Sequence, residues 1–128
     1  MNIYTETISI NTKGDTDIHD LTPLIEDIIK VSNISHGNVT LFIPSSTSAI
    51  TTMEFESGCI HDLKQLFTEI ANPKKYYKHN KRWNDGNGHS HLCASLIGPS
   101  TSIPLINNEL HIGMWQQIVL IDFDNKPR

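Results

Sequence analysis

No apolar run in this chain is longer than a β-strand, and that limits what it can fold into more than any other feature. Residues 39–43 and 117–121 are the longest such runs. Both fall far short of the roughly 20 residues that cross a bilayer. At 128 residues the chain is long enough to enclose one core and short for two ordinary domains, so one domain over residues 1–128 is expected. Its first residues lack the basic start and apolar centre of a secretory signal, so the chain is expected in the cytoplasm and off the membrane.

Periodicity assigns the elements. Residues 3–10 alternate and are rich in β-branched side chains, the pattern of a strand. Leu21, Leu24, Ile25, Ile28, Ile29 and Val31 recur at helical spacing, with Thr22-Pro23 suiting a cap and first helical position. Residues 39–43 then read as a buried central strand ended by Pro44, and residues 49–55 alternate as another, closed by Gly58. Ile60, Leu63, Leu66, Phe67 and Ile70 form a second helical stripe that Asn72-Pro73 ends. Residues 74–88 carry no hydrophobic period and read as a long polar loop, a length that is usually functional or disordered. Strands are expected at residues 91–97, 102–106, 109–112 and 116–123, with Asn107-Asn108 as a two-residue hairpin turn. The order favours an α+β fold, antiparallel sheets packed in a sandwich-like core with two main amphipathic helices.

Charge is polarised along the chain. The formal net charge is −4, yet Lys74, Lys75, Lys78, Lys81 and Arg82 crowd one acid-free stretch. Such a segment in an acidic protein is either a solvated loop or an attraction for a phosphate-bearing small molecule. Nucleic acid is not expected as a partner, because a low-pI chain would have to confine its positive face to a few residues. Cys59 and Cys93 are the only cysteines and stand outside any CxxC spacing, which argues against a zinc knuckle or a disulfide scaffold.

Three of the seven histidines fall at His79, His89 and His91. If residues 89–91 open a strand, His89 and His91 project to one face and can share a cation, with His79 and Asp85 completing the sphere from the loop. Equally, the rings serve only to hydrogen-bond carbonyls in a glycine-rich turn. Asp85-Gly86-Asn87-Gly88 is either an anion cradle of backbone N–H groups or an ordinary tight turn. Glu54 and Glu56 would share one face of a strand, either as a proton-transfer pair or as a solvated edge. The hydroxyl cluster Ser45, Ser46, Thr47 and Ser48 suits phosphate and lacks the partners of a serine hydrolase. Trp115-Gln116-Gln117 offers an aromatic wall with an amide donor, or a Trp packed in the core.

Taken together, the segments resemble the YjbQ-like family, also labelled secondary thiamine-phosphate synthase enzymes. The resemblance rests on Ser46-Thr47-Ser48-Ala49, Thr52-Met53-Glu54-Phe55-Glu56, Tyr77-Lys78-His79-Asn80, the segment from Trp83 to His91, Leu96-Ile97-Gly98-Pro99-Ser100 and Gly113-Met114-Trp115-Gln116-Gln117. It implies a compact antiparallel α+β protein, usually a homotrimer, with a polar, metal-binding pocket near subunit contacts. His79, Asp85 and His91 match positions shared across the family's branches, and His89 matches one branch. Trp115-Gln116 matches a Gly-Thr-Trp-Gln signature with Met114 replacing threonine, and Ser46 stands where the more familiar branch has histidine. Many relatives continue beyond the position of Arg128 into a further strand.

The resemblance implies a weak, secondary thiamine-phosphate synthase that joins a pyrimidine diphosphate to a thiazole phosphate. In that reading His79, Asp85, His91 and Glu54 are catalytic, and a divalent ion, Mg or Zn, sits on His79, His91, Asp85 and His89. Ser46, Thr47, Ser48, Lys78, Arg82, Asn87, Gly88, Trp115 and Gln116 bind the phosphorylated substrates, with Lys81 assisting. The alternatives are a metal-dependent phosphate-ester hydrolase and a non-catalytic trimer that binds a metal or small anion.

Overall fold

Residues 118–122 are buried without interruption, so the strand that carries them must be covered on both faces. In the computed structural model, which describes residues 1–128, this strand is β6 (Gln117–Asp122). It lies between β1 (Asp17–Asp20) and β3 (Ser48–Met53), antiparallel to both. Alternation sends its side chains into two cores. Val119, Ile121 and then Phe123 meet Phe67 of α2 (Ser57–Ile70) and Cys93 and Ala94 of α4 (Gly88–Ile97). Ile118 and Leu120 face Leu21, the helix α1 (Thr22–Ser32) and Ile103 and Leu105 of β4 (Ser100–Ile106).

That second core is closed by a separate sheet in which β4 pairs with β2 (Gly37–Phe42) and β5 (Glu109–Leu110). The fold is therefore α+β, with two three-stranded antiparallel sheets and four helices. Asn107 and Asn108 turn the β4–β5 hairpin with φ of 52° and 65°, the left-handed angles a two-residue turn requires. The helix α1 begins at Thr22, one residue earlier than a Thr22 cap would place it, and the Asp20 carboxylate accepts the Thr22 N–H at 3.0 Å.

Several expectations differ from what forms. Residues 3–10 belong to no sheet; Ile8 and Ile10 pack against the second core, but residues 3–11 make no backbone hydrogen bond. The first such contact is a reciprocal pair between Thr12 and Arg128, at 2.9 and 3.2 Å. Strand β2 is an edge rather than a central strand, half-buried in alternation, because β4 covers only one of its sides. Residues 88–97 form the helix α4 rather than a strand, and a short helix α3 (Lys78–Trp83) interrupts the expected polar loop. Glu54 and Glu56 both lie past the end of β3, so they share no strand face; the Glu56 carboxylate caps α2 through Gly58 N–H at 2.9 Å and Cys59 N–H. No helix is long and apolar enough to cross a membrane.

Candidate functional site

The junction between α3 and α4 follows from three local choices. Asn84 ends α3 in the left-handed region, φ 53°, its N–H returning to Asn80 O at 2.7 Å, and Gly86 continues the turn at φ +71°. The Asn80 carboxamide then accepts Gly88 N–H at 2.7 Å, tying α3 to the first turn of α4. Gly88 has no room for a side chain, since a Cβ there would lie 2.6 Å from Tyr77 Cβ. Ser90, wholly buried, donates to Phe123 O and fastens the start of α4 to the end of β6.

This junction gathers part of the expected site. His79 Nε2 lies 3.4 Å from Asp85 Oδ2 and 3.0 Å from Asn87 Oδ1, and the His79 and His91 rings are 4.3 Å apart between centroids. Asn87 Nδ2 continues to Asp124 Oδ1 at 3.1 Å. Asp124 has no exposed surface and also takes Arg128 Nε at 2.7 Å and Asn125 N–H at 2.9 Å. Burial works to raise its pKa, but the hydrogen bonds from Asn87, Arg128 and Asn125, with the charge of Arg128, outweigh it and hold the carboxyl below its ordinary range.

His89 is turned away. Two residues on a helix are about 200° apart, so the imidazoles of His89 and His91 do not share a face as they would on a strand. His89 is buried, with Nε2 3.3 Å from Ser90 Oγ and Nδ1 without a partner. Burial pushes its pKa down against the pull of the Asp15 and Asp124 carboxylates. Asn87 and Gly88, expected to meet phosphate, are occupied within the chain, Asn87 by His79 and Asp124 and the Gly88 N–H by Asn80. Lys78, Lys81 and Arg82 stand exposed on α3, with Arg82 over the Trp83 ring.

The hydroxyl cluster lines a cavity of about 440 Å³ floored by Asp122 and edged by Arg128. Ser48 and Thr12 both donate to the buried Asp122 carboxylate, Ser48 at 3.3 Å, while Ser45 Oγ joins Thr47 and Ser48; Ser46 is exposed. A second cavity of about 650 Å³ lies between residues 3–10, α1 and β2, lined mainly by apolar side chains. Neither cavity is lined by His79, Asp85 or His91.

Glu54, Trp115 and Gln116 lie elsewhere. Ser48 pairs with Asp122 at one end of the β3–β6 ladder and Met53 with Gln117 at the other, a span of roughly 17 Å at ~3.3 Å per residue. Glu54 and Trp115 are exposed at that far end, and Gln116 bonds Thr52 Oγ1 at 2.9 Å and Gly113 N–H at 3.0 Å. The donor types His79, His91 and Asp85 suit a divalent ion, but no group of three or more His, Cys, Asp or Glu side chains is arranged to hold one. Sequence reasoning missed Asp122, Asp124, Asn80 and Arg128. The signal for the first two was an acid continuing an apolar alternation at a strand end.

Comparison with known proteins follows the same outline. The family model described as UPF0047 protein YjbQ-like matches residues 6–128. A UPF0047 protein of Methanothermobacter thermautotrophicus is 32% identical over 128 residues, covering 100% of this chain and 87% of the relative. One of Archaeoglobus fulgidus is 30% identical over 121 residues, covering 94% and 91%. Among solved structures, a YbjQ-like protein from Sulfolobus solfataricus P2 superposes with a TM-score of 0.85 at 31% identity, covering 93% of this chain and 88% of that one. A YjbQ/UPF0047 protein from Clostridium acetobutylicum gives 0.83 at 30%, covering 95% of each chain. The chain belongs to the UPF0047 YjbQ-like family.

Proposed function

We propose that the chain is a secondary, weak thiamine-phosphate synthase, joining a pyrimidine diphosphate to a thiazole phosphate as pyrophosphate departs. The observation that carries this reading is the meeting of His79 with Asp85 and His91 beside the basic helix α3. Breaking the bond to pyrophosphate leaves negative charge on its oxygens, and Lys78, Lys81 and Arg82 stabilise that charge as it develops. A divalent ion, Mg or Zn, on His79, His91 and Asp85 would supply further neutralisation when bound. Ser46, Thr47 and Ser48 offer hydroxyls to the second phosphate from the neighbouring cavity.

Trp115 stacks on the pyrimidine only if it comes from another copy, since its own chain holds it at the opposite end of the β3–β6 ladder from Ser48. The reading therefore includes a homotrimer with the site near subunit contacts. A second reading is a trimer that binds a metal or small anion at the same residues without turnover.

Protein stripped of metal with a chelator and then refilled, supplied with both phosphorylated substrates, is expected to regain thiamine-phosphate formation. No product above background in either state would sink the synthase reading. Retained metal or pyrophosphate binding without product would favour the second. Sizing by light scattering checks the trimer.

A further inference from the structure

We infer that Asp124 and Asn87 are positioning residues that hold His79 in the tautomer with its proton on Nε2, leaving Nδ1 as the nitrogen that meets substrate or ion. This deepens the proposed site and rests on His79 belonging to it. Asp124 is fully buried, and each of its partners is a donor: Asn87 Nδ2, Arg128 Nε and Asn125 N–H. A carboxylate accepts hydrogen bonds and donates none. Asn87 must therefore turn its NH2 toward Asp124, which leaves its Oδ1 facing His79 at 3.0 Å.

That oxygen is also only an acceptor, so His79 Nε2 must carry the hydrogen between them. Asp85 Oδ2 lies 3.4 Å from the same nitrogen but outside hydrogen-bond geometry, so the Asn87 oxygen alone sets this requirement. The lone pair of the neutral ring is then on Nδ1, which takes part in no hydrogen bond of the chain and is not closed off from solvent. His91 packs beside the ring, 4.3 Å between centroids and tilted by 52°. Neither Asp124 nor Asn87 needs to touch the substrate. Asn87 precedes α4 without capping it through its side chain, so its replacement removes the bridge and no cap.

The test is long-range 1H–15N correlation of the histidine rings in the labelled full chain, at a pH where His79 is neutral. Wild type is expected to show the Nε2–H form alone, with an Hε2 resonance protected from exchange. Asn87→Ala should lose that resonance. Asp124→Asn lets the Asn87 amide turn over, so an Nδ1–H population should appear. An Nδ1–H ring in wild type would overturn the inference, as would a folded Asn87→Ala that keeps the protected Hε2. If Asp124→Asn does not fold, wild type and Asn87→Ala decide. Absence of thiamine phosphate alongside the expected tautomer would remove the synthase reading and leave the positioning role standing.

Discussion

The residues that shape the α3–α4 junction do so by leaving no slack. Gly88 is the clearest, because a methyl group there meets Tyr77 Cβ at 2.6 Å and Asn80 Oδ1 at 2.9 Å. Gly88→Ala is expected to destabilise the fold by about 1–3 kcal/mol, the usual cost of overpacking, read as a lower midpoint in urea unfolding. His89 adds a pH dependence. With its folded pKa depressed below the ordinary 6.5, it takes up a proton more readily in the unfolded chain. Its contribution is constant above about pH 6.5 and stability falls as pH drops from there towards the folded value. Urea melts across that range should show the slope flattened in His89→Gln; an unchanged slope would assign the acid sensitivity to other groups. The density of ligand-type residues from His79 to His91 was legible in the sequence, and three of them do meet. Asp124 was not legible, because its role depends on the end of β6 arriving beside Asn87, 37 residues away in the chain.

Among the elements, the two stripes of α1 and α2 were readable because each helix buries one face only. The helix α4 was misread because it is apolar around most of its surface. Leu92, Cys93, Ala94, Leu96 and Ile97 show no clean stripe, and a short apolar run does not distinguish a buried helix from a strand. That error carried the geometry of His89 and His91 with it. The alternation of residues 3–10 was real, as Ile8 and Ile10 pack inward, yet a strand needs a hydrogen-bonded neighbour that pattern alone does not supply. Amide exchange is expected to find residues 3–11 unprotected while β6 exchanges slowest; protection across residues 3–11 would contradict this pairing. The cap of α2 is likewise testable. Glu56→Ala removes the acceptor for the Gly58 and Cys59 N–H groups and should cost about 1 kcal/mol in the same urea assay.

In the whole molecule, a buried central strand divides two cores and ends where α4 begins, so the packing that stabilises the chain also delivers Asp124 to the α3–α4 junction and Asp122 to the hydroxyl-lined cavity. The antiparallel α+β class was readable from the order of short strands and helices, while the division into two sheets depends on which strands pair, a long-range choice. The central claim is that His79, Asp85 and His91, with basic α3, form the place where a phosphorylated ligand is held. Calorimetric titration of pyrophosphate with a divalent ion tests it most directly, comparing wild type with His91→Ala. The account predicts saturable binding to wild type, weakened about tenfold or more in the variant, a loss of ~1.4 kcal/mol or greater. Equal affinity in both, with the variant folded, would contradict it.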